Sequence, residues 1–262
     1  MTAIVTALFR RSPWRIVERN ALVSRRSWYV YLTGGAEPFL YLFSVGVGVG
    51  ALIDTVAGPD GAAVSYRSFV APGMMAAAAM NAVILDTTVT FFVRFKYIRT
   101  YDAMLATPLS PRDVVRGELL WSLSRVVVYS GAFFVTMLAM GLLESPWAVL
   151  MLPGAVLIGF SFGALGLAGS TWIRSWLEFD LVFVAAIPMF LFSATFFPLQ
   201  RYPEWLQWVV RASPLYHGAD LLRRMALGSM GWTQLGSAAY LAVLGFGGLW
   251  VAQRRVARLV QP

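Results

Sequence analysis

Six apolar stretches, 28–52, 69–93, 119–143, 147–173, 181–197 and 233–251, fill most of this chain and restrict it to one class of fold. Five of them reach the length of about 20 helical residues needed to cross a hydrocarbon core of ~30 Å. The fifth is shorter and ends at Phe197-Pro198, where it is expected to stop near the outer interface. Of the 262 residues 58% are hydrophobic and 13% charged, more apolar surface than a single soluble core of that size can hide. The prediction is an all-α polytopic membrane protein with six transmembrane helices in one domain, 1–262.

Orientation follows from the basic residues, which are arginines except for Lys96. Fifteen of the 21 lie before span one (Arg10, Arg11, Arg15, Arg19, Arg25, Arg26), in the second and fourth links (Arg94, Lys96, Arg99, Arg112, Arg116, Arg174) and in the tail (Arg254, Arg255, Arg258). The opposite side has Arg67 and four arginines in the long link 198–232. The excess of positive charge predicts both termini and the second and fourth links in the cytoplasm. The net charge of +8 therefore reads as an orientation signal and an attraction to anionic membrane lipids, with no soluble basic module to bind nucleic acid. The preference for Arg over Lys and the abundance of Ala fit a GC-rich bacterial genome. The first apolar stretch is too long for a signal sequence and lacks a small-residue cleavage site.

The segment 7–27 is amphipathic. Phe9, Trp14, Ile16, Val17, Ala21 and Val23 share one arc, and Arg11, Arg15, Glu18, Arg19, Arg25 and Arg26 the other, the pattern of a helix lying in the membrane surface. It serves as a simple orientation anchor or as a mechanical connector to a cytoplasmic partner. The link 94–117 holds a helix-like run at 100–106, then Thr107-Pro108-Leu109-Ser110-Pro111. Ser110 can cap a helix that has Pro111 at its first position, and Asp113 complements that helix's dipole. Two short helices joined by a Pro-bounded turn would make a compact knob, where an ordinary capped loop is the plainer reading. In the link 198–232, Trp205, Trp208 and Val209 share one helical face and Leu215, Ala219, Leu222 and Met225 another, predicting two short helices that dip into the outer leaflet.

Catalytic chemistry is sparse. The only lysine follows Phe95, so no phosphate-binding glycine-lysine loop exists and the chain is expected to carry no ATPase of its own. With no cysteine and only His217, a thiolate or paired-histidine metal site is excluded. The Gly46-Val47-Gly48-Val49-Gly50 run lies inside an apolar span and reads as close helix packing. Gly159-Phe160-Ser161-Phe162-Gly163 fits the pattern of a serine nucleophile, and with His217 it raises the alternative of a rhomboid-type intramembrane protease. Ser161 lies mid-span and His217 in the external link, so their depths differ and small-residue packing is the preferred reading. Three charges, Glu37, Asp86 and Arg125, fall at a common depth of roughly 10–14 Å from the cytoplasmic ends. Charge at that depth is costly unless paired, so Arg125 is expected to bridge Glu37 and Asp86 in a structural cluster rather than a proton relay.

In order and spacing the chain resembles the ABC-2-type exporter permeases, and within them the nodulation-type (NodJ-like) lipo-oligosaccharide permeases, relatives of the daunorubicin-exporter and polysaccharide-exporter subunits. The likeness rests on Glu37-Pro38 followed by Tyr41-Leu42, on Phe69-Val70-Ala71-Pro72-Gly73-Met74, on Met104-Leu105, Thr107-Pro108-Leu109 and Gly117-Glu118, on 193–198, and on Ser213-Pro214-Leu215-Tyr216-His217 with Asp220-Leu221-Leu222-Arg223. The resemblance implies a permease in the bacterial cytoplasmic membrane, not itself an enzyme, that pairs with a second permease copy and an ABC ATPase. It implies that Thr100, Tyr101, Met104, Leu105, Thr107, Pro108, Leu109 and Asp113 form the coupling site for that ATPase. Substrate would pass along spans one, two and five, with Tyr41, Phe43, Phe190, Phe192 and Phe196 as lining, while His217 and Arg223 are structural. A secondary transporter, the other alternative, should show inverted repeats with broken helices, and no convincing internal repeat is present.

Overall fold

The computed structural model describes residues 12–27, 29, 40, 42–45, 48–50 and 52–260. Most of span one, with Glu37 and Tyr41, lies outside the described residues, as do Phe9, Arg10 and Arg11. The described chain is mostly helical: α1 (Ser12–Ser24), α2 (Tyr66–Tyr97), α3 (Thr100–Leu105), α4 (Pro111–Ala139), α5 (Pro146–Ser170), α6 (Phe179–Leu191), α7 (Glu204–Ala212), α8 (Pro214–Leu227) and α9 (Trp232–Val260). Among the described residues four helices, α2, α4, α5 and α9, are long and apolar enough to cross a membrane.

Three features depart from expectation. Helix α4 begins at Pro111, because Ser110 and Asp113 form a reciprocal capping box that starts the helix there. The second half of the expected knob is thus the first turns of span three. In the fifth stretch the helix covers 13 residues, roughly 20 Å, and ends at Leu191, short of the expected Phe197. Past Leu191 the chain turns, with Ala194 at φ 53° and the Ser193 and Thr195 hydroxyls hydrogen-bonded at 2.7 Å. The chain is also not strictly all-α. Strands β1 (Thr55–Ala57) and β2 (Ala63–Ser65) pair antiparallel around Gly58-Pro59-Asp60-Gly61, where Gly61 supplies the positive φ of the turn.

Among the described residues two main apolar clusters, a larger and a smaller, and a minor one around Phe92, Ile173 and Phe179 hold the bundle. The larger joins α2, α4, α5 and α8 through side chains such as Met75, Met80, Phe133, Met151, Ile158, Leu215 and Leu222. Here α8 is not a surface helix. Its predicted face, Leu215, Ala219, Leu222 and Met225, is buried, whereas Trp205, Trp208 and Val209 of α7 point outward. The smaller cluster, at the opposite end, joins Ile16, Phe91, Tyr101, Val115, Leu119, Leu167 and Val256. Close approach of α5 to its neighbours rests on glycine: a Cβ on Gly159 would meet Val126 of α4 at 2.6 Å, and one on Gly163 would meet Leu119 at 2.8 Å. Those are the glycines of the serine-containing pattern, and Ser161 lies 2.6 Å from the Leu241 carbonyl of α9. His217 instead pairs with Ser237 at 3.0 Å, so the two do not form a dyad.

The end of the molecule that carries α7 and α8 is pinned by Arg223. Its Nε donates to the Phe69 carbonyl at 2.9 Å and its Nη2 to that of Ala194 at 2.8 Å, with the guanidinium 3.8 Å from the Phe69 ring centre. Gly73 leaves room for it, since a Cβ there would touch Nη2 at 3.1 Å. Burial lowers the Arg223 pKa to about 10, which leaves it protonated near neutral pH.

Candidate coupling site

The smaller cluster carries the knob between α2 and α4. Arg99 turns the chain through the left-handed region at φ 51° and releases the six-residue α3. Tyr101 is 1% exposed, with its ring 5.2 Å from Phe91 and 6.2 Å from Phe95. Met104, Leu105 and Leu109 are partly buried against the same cluster. Spacing of 101, 104 and 105 marks one helical face, and that face points inward. The outward rim is its complement: Asp102, Ala103, Ala106, Thr107 and Pro108 are exposed. Asp113 is engaged in the turn, accepting from the Ser110 N–H at 3.0 Å and from its hydroxyl at 2.6 Å.

Behind Tyr101 lies a buried polar hub absent from the sequence expectations. Arg94, near the end of α2, contacts Glu118 of α4 at 2.8 and 3.1 Å. Asn20 of α1 donates to the same carboxylate at 3.2 Å. Arg19 donates to the Asn20 side-chain carbonyl at 3.1 Å. The Tyr101 hydroxyl is buried beside Glu118 and Arg94 but meets hydrogen-bond geometry with neither. Desolvation, with the Glu118 carboxylate adding to it, raises this phenol well above the ordinary tyrosine value, so it remains neutral. Four elements, α1, α2, α3 and α4, thus meet on one ion pair. The signal was present in the sequence as an acid eight residues after Ser110, facing a basic residue at the end of the preceding span.

Helix α1 reaches the hub with Ile16 and Asn20, both 1% exposed, and leaves Trp14, Leu22 and Val23 exposed. Its apolar arc is therefore divided between span three and the surroundings. Docking depends on Gly117: a Cβ there would sit 2.7 Å from Ile16 Cβ and 2.9 Å from the Pro13 carbonyl oxygen. Gly117→Ala is expected to push α1 outward at a cost of about 1–3 kcal/mol. Limited trypsin digestion reads this directly, as faster cleavage at Arg25 and Arg26. Cleavage at the wild-type rate would mean that α1 is not held through Gly117.

The other predicted residues divide between two places. Arg125 Nη1 lies 2.9 Å from Asp86 Oδ1, a pair inside the bundle where Asp86 opens a π-helical turn of α2. Phe190 and Phe196 pack edge to face at 5.3 Å against the larger cluster. Phe43 and Phe192 are exposed. Among the described residues no group of three His, Cys, Asp or Glu side chains converges to hold a metal.

A family model described as "ABC-2 type transporter" matches residues 13–227, four-fifths of the chain, including α1, the knob, the hub and α8. This chain belongs to the ABC-2 type transporter family. Family membership makes it a membrane subunit of an ABC transporter, which works with an ATPase. Relatives named Nodulation protein J are similar over most of their length. That of Rhizobium leguminosarum bv. trifolii is 33% identical over 82% of this chain and 80% of its own. That of Rhizobium meliloti is 32% identical with the same coverage, and that of Azorhizobium caulinodans 26% identical over 90% and 91%.

Proposed function

We propose that this ABC-2 subunit is the permease of an ATP-driven exporter in the bacterial cytoplasmic membrane, with both termini in the cytoplasm. It pairs with a second permease copy and moves an amphipathic cargo: a glycolipid, lipo-oligosaccharide, polysaccharide or hydrophobic drug. The chain binds no nucleotide itself, and ATP and Mg belong to the ATPase. The observation that carries this reading is the knob, an exposed rim backed by a rigid buried anchor. A force applied at Asp102, Ala103 or Ala106 meets Tyr101, and Tyr101 meets the Phe91–Phe95 face of α2 and the Arg94–Glu118 pair. Packed interiors transmit displacement rather than absorb it. The same pair reaches α1 through Asn20, so knob and surface helix move as one body. Exposed Phe43 and Phe192 suit contact with a second copy or a cargo, and Arg125 with Asp86 serve structure.

Co-purification tests the coupling site. Leu105 and Leu109 are unsuitable targets because they pack inward; Ala103→Arg/Ala106→Arg alters the rim alone. The tagged wild type is expected to bring down an ABC ATPase from its native membrane in mild detergent, and the double variant to lose it while remaining monodisperse. Retention of the ATPase by the variant would move the coupling site elsewhere. No ATPase with the wild type would overturn the exporter reading.

A further inference from the structure

Between the ends of α2, α5 and α9, on the arginine-rich side, lies a cleft of about 250 Å³. Lys96, Arg174 and Arg255 line it together with Phe92, Trp172 and Leu259. Its wall shares Phe91, Phe95 and Val256 with the cluster under the knob, but its three cations belong to neither the knob's rim nor the hub. Arg255 is built in: its Nε donates to the Thr171 hydroxyl at 2.8 Å, its Nη2 is 3.5 Å from the Thr171 carbonyl, and its guanidinium stacks 3.9 Å from the centre of the Trp172 ring. Lys96 spans the mouth, with Nζ 3.3 Å from the Arg174 carbonyl and 5.1 Å from the centre of the Phe92 ring. Among the described residues none of the three cations forms an ion pair with a carboxylate. Glu178 accepts from the Arg174 backbone N–H at 2.8 Å and lies outside ion-pair range of its guanidinium.

Three uncompensated cations around one cleft at a membrane interface repel one another and call for an anion. The spare N–H donors of two guanidinium groups match phosphate oxygens. The volume equals that of roughly eight waters, enough for a phosphoglycerol group and too little for acyl chains. Those chains have a surface to lie on, because Trp172 and Leu259 of the lining are exposed, as is Trp176, whose ring meets Phe92 of the wall. We infer that this cleft is a binding site for the phosphate headgroup of an anionic glycerophospholipid.

The test is native mass spectrometry of the full-length protein in neutral detergent, titrated with phosphatidylglycerol, with phosphatidylcholine and with inorganic phosphate. Wild type is expected to retain phosphatidylglycerol in preference to phosphatidylcholine. Lys96→Gln/Arg174→Gln, which leaves the Arg255–Thr171 clasp intact, should bind it about tenfold to thirtyfold more weakly. Arg254→Gln/Arg258→Gln removes the same charge from exposed positions outside the cleft and should bind as wild type does. Lys96→Arg should also keep the affinity. Equal loss in both double variants would reduce the effect to bulk surface charge and overturn the site. Equal retention of the two lipids would overturn it as well. Displacement of the lipid by inorganic phosphate at matched concentration would assign the cleft to free phosphate instead. Should the first double variant fail to stay monodisperse, Arg174→Gln alone, on an exposed side chain, carries the same comparison.

Discussion

Arg94→Met is expected to destabilise the protein by about 3–5 kcal/mol, because it leaves the Glu118 carboxylate buried without its cation. Glu118 is 7% exposed in its side chain, and its remaining hydrogen bond comes from the neutral amide of Asn20. Water cannot easily take over from Arg94 at that site. Removing both charges is another matter. Arg94→Met/Glu118→Met replaces the pair with apolar side chains of similar volume, a change that is often neutral. Asn20 then loses one partner, costing about 1–3 kcal/mol, so the double variant should recover a part of the loss. Thermal unfolding in detergent measures the stability side. Co-purification of the ATPase measures the other, and here the two variants should agree. If the hub joins α1 to the knob, the stability-restored double variant still loses the link, and its transport falls although it folds. A double variant that folds and transports like wild type would make the hub a purely structural pair.

Features set by nearby residues were the most legible in the sequence, and among the non-local ones the Arg125–Asp86 pair is the exception. Ser110, Pro111 and Asp113 specify a helix start by contacts within four residues, and the helix begins there. The inward face of α8 was readable as Leu215, Ala219, Leu222 and Met225 from period alone. At the knob, 101, 104 and 105 form an apolar stripe, and a stripe names the buried side rather than the surface a partner meets. Span five was overestimated because its composition stays apolar through Phe197, while its end is set by Arg223, about thirty residues downstream. That guanidinium takes the Ala194 carbonyl out of any helix ladder, and no window around residue 194 contains the information. The hairpin at 55–65 departs from the all-α expectation, and its local signal is Gly58-Pro59-Asp60-Gly61, turn chemistry flanked by Val56 and Val64.

Depth arithmetic gave the intramembrane pair, and it supports a second strong expectation. Arg125 and Asp86 are 2.9 Å apart, on helices that pack along each other, with Asp86 only 7% exposed. Arg125→Glu would set two carboxylates facing each other in a low-dielectric site. Beyond losing the pair, worth about 3–5 kcal/mol when one partner is removed, it adds like-charge repulsion, so little folded protein should be recovered from the membrane. Asp86→Arg/Arg125→Glu restores opposite charges with the geometry reversed and should bring back much of the yield, read by fluorescence-detected size exclusion. The residual deficit comes from length, since Arg on α2 must fit where the shorter Asp side chain stood. Glu37→Arg beside Arg125→Glu asks a separate question, whether a third charge shares the site. Rescue by that change as strong as by Asp86→Arg would make Arg125 a bridge between two carboxylates. Rescue by Asp86→Arg alone would confine the interaction to α2 and α4, and rescue by neither would mean that the two charges are stabilised independently of each other.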